Sequence, residues 1–286
     1  MAREIRKIGV VGAGTMGSGI AQLCAQKGFE VVLTDIDLAQ LDRAKQRIGE
    51  NLGKLLEKGK ITQEDKEIIL ERISYNGLFG VLMWTDFVIE AVFEDKKVKQ
   101  HIFKELDALC SKEMILASNT STIPICQVAK SVNNKKRVIG MHFMNPPTVM
   151  PLIEVIRSEK TSDETFQDCL DLCVRLGKTV VEAKRDTPGF IVNRILFPSI
   201  NEAVYAFSEC LGSAEDIDKA MEMGGPYKMG PLKVADLIGL DVCLHILEIL
   251  YHELKDNRYK PCPLWKQFVA EGHLGRKTKK GFYEYE

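Results

Sequence analysis

An α/β doubly wound sheet carrying a helical insert, followed by an all-α C-terminal domain, is the fold class that the sequence predicts. Three observations lead to it. An apolar strand at the start runs into a glycine turn and a helix, further strand candidates alternate with helical periodicity to about residue 185, and helical periodicity alone continues beyond. At 286 residues the chain exceeds the usual size of one core, so two domains are expected, 1–185 and 186–286.

The first strand, Lys7-Ile8-Gly9-Val10-Val11, enters Gly12-Ala13-Gly14-Thr15-Met16-Gly17. Gly12 allows a tight turn, Gly14 lets the backbone approach a pyrophosphate, and Gly17 lets the helix pack against the strand. The helix N-terminus, with Thr15 and Met16, then presents its N–H groups and positive dipole end to the phosphates. A second strand, Glu30–Thr34, ends at Asp35, which lies 18 positions beyond Gly17. That is close to the offset of roughly 20 residues at which a carboxylate binds the ribose hydroxyls. In this context the glycine pattern reads as a Rossmann-type dinucleotide site. NAD is preferred over NADP, because Asp35 accepts bonds from a ribose diol and repels a 2′-phosphate.

Residues 38–59 place Leu38, Leu41, Ala44, Ile48, Leu52 and Leu55 at helical spacing, and Thr62 with Asp65 caps a second helix. The pair forms the helical insert. Lys54, Lys58 and Lys60 gather near its tip, which suits either a phosphorylated ligand held by point charges or an ordinary solvated face. Strands follow at 73–75 and 85–92, the latter leading to Glu94, then a helix at 95–110 and a strand at 114–118. That strand opens into Asn119-Thr120-Ser121-Thr122. At the carboxyl end of a strand this loop belongs near the cofactor, while its hydroxyls serve equally well to cap the next helix.

The strand at 138–141 delivers His142, and Leu152–Ile156 is an apolar strand with one carboxylate, Glu154. A buried charge needs a partner, so a His142–Glu154 pair is one reading. The other is a core histidine bonded to a backbone carbonyl and a glutamate at an exposed edge. Thr161 with Glu164 reads as a capping box for a helix running to Leu176, and the strand at 179–182 is the last. Asp186-Thr187-Pro188-Gly189 breaks the pattern, and helices follow at about 190–210, 214–223, 232–255 and 262–271. Asn193, polar within an apolar stretch, either bonds to a neighbouring helix or turns to the site. Four helices this rich in Leu, Ile and Val on so short a segment also point to a buried subunit surface and a homodimer.

Composition narrows the function classes. With 45% hydrophobic residues, 28% charged residues and a formal charge of −1, the chain offers no general surface for nucleic acid or membrane. Its eight cysteines form no CxxC pair, and Cys169 and Cys173 fall on an apolar helical stripe, so reduced core thiols and no metal are expected. The first strand begins within ten residues and no apolar run reaches about 18 residues, which leads to the expectation of a cytoplasmic protein without a targeting segment.

Five blocks, in this order and spacing, resemble the L-3-hydroxyacyl-CoA dehydrogenase family over essentially the whole chain, most closely its short-chain bacterial members, the 3-hydroxybutyryl-CoA dehydrogenases. They are Gly12–Gly17, Ser118-Asn119-Thr120-Ser121, His142-Phe143-Met144-Asn145-Pro146, Asp186-Thr187-Pro188-Gly189-Phe190-Ile191-Val192-Asn193-Arg194, and Gly275-Arg276-Lys277-Thr278 with Gly281-Phe282-Tyr283. The resemblance implies NAD-linked interconversion of a short (S)-3-hydroxyacyl-CoA and its 3-ketoacyl-CoA, that is, 3-hydroxybutyryl-CoA and acetoacetyl-CoA. It makes His142 the general acid and base, Glu154 its orienting partner, and Ser121 and Asn193 the groups that bind the substrate's oxygen functions. Glu94, Lys99, Ser121, Asn145 and Lys277 match cofactor positions, and Asn51, Lys58 and Ser121 match CoA positions. Met144 stands where the family more often has Phe, and Asn51 where it has Ser. A dehydrogenase of the same fold acting on a non-CoA hydroxy acid such as gulonate, and a non-catalytic NAD-binding protein like the related lens crystallins, are the alternatives. Against them stand the lysine-bearing insert and the joint presence of Ser121, His142, Glu154 and Asn193.

Overall fold

The computed structural model describes residues 4–225 and 227–286. Two compact units emerge, Met1–Thr187 and Pro188–Glu286. In the first, strand β1 (Lys7–Val11) leads to helix α1 (Thr15–Gln26) and β2 (Glu30–Thr34). The insert consists of α2 (Leu38–Glu57) and α3 (Gln63–Glu71) and precedes β3 (Ile73–Asn76). Next come β4 (Phe87–Glu90), α4 (Lys96–Leu109), β5 (Ile115–Ser118) and the short α5 (Ile125–Val128). The unit ends with β6 (Val138–Phe143), β7 (Leu152–Ile156), α6 (Asp163–Arg175) and β8 (Thr179–Ala183).

The eight strands form one sheet in the order β3-β2-β1-β4-β5-β6-β7-β8. Residues such as Ile8, Val10, Phe87, Ile89 and Leu116 are fully buried, because helices cover both faces of a doubly wound sheet and its strands read as continuous apolar runs. One pairing breaks the parallel rule. β6 and β7 are antiparallel, which a connection without a crossover helix allows, and their register sets His142 directly opposite Glu154.

The second helix of the insert starts as its sequence dictates. Thr62 accepts from Asp65 N while the Asp65 side chain accepts from Thr62 N, a reciprocal cap. Two expectations need correction. The cap of α6 is Ser162, which accepts from Thr165 N, and not Thr161 with Glu164. Thr161 Oγ1 instead donates to Val138 O at 2.7 Å and accepts from Ser158 N, so a buried partner on β6 takes the hydroxyl from the helix end.

The second unit packs α7 (Val192–Ser208), α8 (Ala214–Gly224), α9 (Pro231–Ile238), α10 (Leu240–Leu254) and α11 (Pro263–Ala270) around Phe197, Leu232, Leu247 and Trp265. The helix expected over 232–255 is two helices, since Gly239 adopts φ +106° and breaks the ladder between α9 and α10. Asp186 belongs with the first unit, where its carboxylate accepts from Ile125 N and Cys126 N, both at 2.6 Å.

Candidate active site

The carboxyl ends of β1, β2, β4 and β5 and the antiparallel pair β6–β7 carry the polar side chains of the first unit. At the glycine turn, Gly12 has φ +98°, and a Cβ there would meet Ala91 O at 2.8 Å. At Gly17 a Cβ would lie 1.7 Å from Gly12 O, so only glycine lets α1 start this close to β1. Gly14 differs. A Cβ there meets nothing within 4 Å, and no side chain caps α1. An open turn leading to an uncapped helix N-terminus fits a pyrophosphate, and Thr15 and Met16 begin that helix.

Asp35 stands beside this turn, its Oδ2 accepting from Ala13 N at 2.7 Å and its Oδ1 from Asp37 N at 3.0 Å. Nearby cations are directed elsewhere. Arg43 pairs with Asp37 at 3.1 Å, and Lys45 lies over the Tyr75 ring at 5.9 Å.

His142 Nδ1 lies 2.7 Å from Glu154 Oε2, and both residues are buried. Glu154 is 0% exposed, which excludes the reading of a glutamate at an exposed edge. An ionised carboxylate only accepts, so the proton of this bond sits on Nδ1. The loop between β6 and β7, which carries Asn145, is held by Lys178 Nζ, donating to Pro147 O and Met150 O at 2.7 Å each. Asn145 itself is exposed.

The loop hydroxyls after β5 do not cap the next helix, since no side chain caps α5 at Pro124 and its first N–H groups donate to Asp186. They surround Glu94, whose Oε1 accepts from Thr120 Oγ1 at 2.6 Å, Ser121 N and Thr122 N at 2.8 Å, Thr122 Oγ1 at 2.9 Å and Ser121 Oγ at 3.3 Å. Burial by itself would raise the pKa of Glu94, but the Lys99 charge and these hydrogen bonds outweigh it and hold the carboxyl down to about 2. Lys99, expected as a cofactor contact, is 1% exposed and lies behind the same loop. Its ammonium sits 2.6 Å from Glu90 Oε1 and 3.4 Å from Glu94 Oε2. Burial works against the Lys99 charge, yet the two carboxylates outweigh it and raise the pKa.

The insert treats charge differently. Lys54, Lys58 and Lys60 are exposed around the C-terminus of α2, and Asn51, half-buried one turn earlier, donates from Nδ2 to Gln22 Oε1 on α1 at 3.2 Å. In the second unit Asn193 is buried in the first turn of α7. Lys277 Nζ lies 2.6 Å from Asp241 Oδ2 at the start of α10. Among the described residues no cluster of three or more His, Cys, Asp or Glu could hold a metal ion, and no helix is long and apolar enough to cross a membrane.

Residues 7–187 match the model of the 3-hydroxyacyl-CoA dehydrogenase NAD-binding domain, and residues 189–285 match that of its C-terminal domain. The chain belongs to the 3-hydroxyacyl-CoA dehydrogenase family. A probable 3-hydroxybutyryl-CoA dehydrogenase of Bacillus subtilis is 46% identical over 283 residues, covering 99% of this chain and 98% of that protein. The crystal structure of (S)-3-hydroxybutyryl-CoA dehydrogenase from Ralstonia eutropha superposes with a TM-score of 0.93 at 44% identity, covering 99% of this chain and 100% of that one. FadB2 of Mycobacterium tuberculosis superposes with a TM-score of 0.97 at 38% identity, covering 99% and 100%.

In this 3-hydroxyacyl-CoA dehydrogenase the first unit is thus an NAD-binding domain. Sequence reasoning passed over Glu90 and Asn119. Glu90 is a lone carboxylate in the apolar run Phe87-Val88-Ile89-Glu90, the same signal that singled out Glu154. Asn119 Oδ1 accepts from Phe143 N at 2.9 Å, a link between loop and β6 that no local pattern announces.

Proposed function

We propose that the chain catalyses the NAD-linked interconversion of (S)-3-hydroxybutyryl-CoA and acetoacetyl-CoA. The observation that carries this reading is the buried His142–Glu154 contact inside the NAD-binding domain of a 3-hydroxyacyl-CoA dehydrogenase. Relatives named 3-hydroxybutyryl-CoA dehydrogenase, 46% identical over nearly the full length, support the short acyl chain.

NAD, held by the glycine turn and Asp35, would supply the hydride acceptor for C3 of the alcohol and, reduced, the hydride donor for the ketone. His142 takes the 3-hydroxyl proton on Nε2 during oxidation and gives one to the carbonyl oxygen during reduction. Glu154 keeps the proton on Nδ1, so the ring cannot turn its acceptor nitrogen away from the substrate. Ser121 and Asn193 hold the oxygen functions of the substrate. Gly12, Gly14 and Gly17 with Thr15 and Met16 would receive the pyrophosphate, Asp35 the ribose diol, and Glu94, Lys99, Ser121, Asn145 and Lys277 the rest of the cofactor. Asn51, Lys58 and Ser121 contact CoA.

Residues 186–286 form the substrate and dimerisation domain in this reading. Leu211 is 80% exposed, Met223 79% and Leu237 53%, apolar side chains that contact with a second copy would bury. Sedimentation as a monomer at micromolar concentration would contradict it. The enzyme acts in the cytoplasm, in fatty-acid and butanoate metabolism.

The deciding assay follows NADH oxidation with acetoacetyl-CoA, free acetoacetate and the keto partner of gulonate. Turnover of acetoacetyl-CoA alone is expected. Equal turnover of a free acid moves the function to a non-CoA hydroxy acid, and NADH binding without turnover of any of them leaves a binding protein.

A further inference from the structure

Glu90 takes no part in the chemistry described above, yet it is a carboxylate with 0% exposure at the carboxyl end of a central parallel strand. Ligands of doubly wound sheets sit at such strand ends. A charge there persists only with partners. Glu90 Oε1 accepts from Lys99 Nζ at 2.6 Å and from Val92 N at 2.8 Å, and Oε2 accepts from Ser118 Oγ at 2.6 Å.

Both arms of this hub end on the same loop. Through Lys99 it reaches Glu94, whose other oxygen accepts from the backbone and hydroxyl of Ser121. Through Ser118, whose hydroxyl accepts from Thr120 N at 3.2 Å, it reaches the residue before Ser121. The Glu90 carbonyl also accepts from Asn119 N at 2.7 Å, and Asn119 holds Phe143 N beside His142. Neutralising one buried ammonium needs a single carboxylate. Two carboxylates share Lys99, and the second is the one turned to Ser121.

We propose that Glu90 is a positioning residue for the hydride-transfer reaction, holding Glu94 through Lys99 and Ser121 through both Glu94 and Ser118. The inference rests on the cofactor and substrate roles proposed above for Glu94 and Ser121. It predicts that the placement of Ser121 and the stability of the fold respond to Glu90 separately.

The test compares Glu90→Gln, Glu90→Gln/Lys99→Met and Ser118→Ala with the full-length enzyme. Each is followed by thermal unfolding, by NADH affinity from fluorescence titration, and by kcat and KM for acetoacetyl-CoA. Glu90→Gln leaves Lys99 with Glu94 as its one carboxylate, and both the unfolding temperature and kcat fall, kcat by about 10–100-fold as for a small misplacement of reacting groups. Removing the ammonium as well takes away the unpaired charge, so the double variant regains unfolding temperature while its kcat and NADH affinity stay low. Ser118→Ala, which alters no charge, lowers kcat by a smaller factor. Recovery of kcat and NADH affinity together with unfolding temperature in the double variant, or wild-type kcat in Ser118→Ala, overturns the proposal and makes Glu90 a purely structural partner. Should the wild-type enzyme fail to reduce acetoacetyl-CoA, the proposed function falls while NADH affinity still tests Glu90. Unchanged affinity in the double variant then overturns the proposal.

Discussion

The strand ends of the first unit and its helical insert both concentrate charge, and they do so under opposite physical conditions. Around the strand ends Glu90 of β4, Lys99 of α4 and Glu154 of β7 are 0–1% exposed, and each has a charged or ring partner within 2.7 Å. On the insert Lys54, Lys58 and Lys60 are exposed to solvent. Buried charges interact strongly because little water screens them, and removing one leaves its partner unpaired. Exposed charges supply a field that salt attenuates over about 8–10 Å. The first arrangement fixes geometry and the second adds attraction, so substitutions in the two regions should change different kinetic constants.

The largest effect is expected at His142. His142→Gln keeps a polar group of similar size but carries no proton, so kcat should fall by about 10²–10⁴ with NADH affinity nearly intact. Glu154→Gln should lose less, and the double variant should lose no more than His142→Gln alone, because the pair acts as one unit. Wild-type-like turnover of His142→Gln would falsify the assignment. Additive losses would separate the two residues and leave Glu154 a structural carboxylate.

Acid unfolding sharpens the comparison next. The folded-state pKa of Glu94 lies at about 2, below that of an ordinary glutamate, so its stabilisation is present above about pH 4.5 and is lost as pH falls toward 2. Integrated over that window the contribution is on the order of 3 kcal/mol. Urea unfolding of the wild type should therefore weaken more steeply between those pH values than that of Glu94→Gln. Parallel acid slopes would place the depressed ionisation elsewhere.

Cofactor choice comes third. With Asp35 beside the glycine turn, and Arg43 and Lys45 engaged with Asp37 and Tyr75, kcat/KM with NADPH should be at least about tenfold below that with NADH, a factor that roughly 1.4 kcal/mol of repulsion supplies. Equal values for the two cofactors would mean that a cation moves in to meet the 2′-phosphate. The smallest effect belongs to the insert. Lys58→Ala should raise KM for acetoacetyl-CoA a few-fold at low salt with kcat unchanged, the sign of uniform binding lost far from the reacting carbon. A KM that stays the same at low salt would make Lys58 an ordinary solvated side chain.

Local chemistry was legible wherever a short stretch contains its own reason to fold. The glycine turn into α1, the reciprocal Thr62–Asp65 cap and the strand Leu152–Ile156 all lie where the residues indicate. Where two local solutions compete, the sequence was ambiguous. Thr161 and Ser162 are both good caps, and Ser162 takes the position because Thr161 has a buried acceptor on β6, more than twenty residues away. Gly239 carried a signal that helical periodicity on either side outweighed in the reading, and its positive φ splits the helix.

By itself the sequence determined the dinucleotide turn, the carboxylate at the end of β2, the family and the presence of a histidine and a glutamate on neighbouring strands. Those depend on residue types at short spacing, which periodicity and turn chemistry record directly. Only the tertiary structure decided that β6 and β7 run antiparallel with His142 opposite Glu154, that Lys99 is withdrawn from solvent, and that the hydroxyls after β5 close around Glu94. Such arrangements form because burial removes water from a charge and leaves only distant side chains to replace it. Which side chains those are depends on how strands far apart in the chain come to lie side by side.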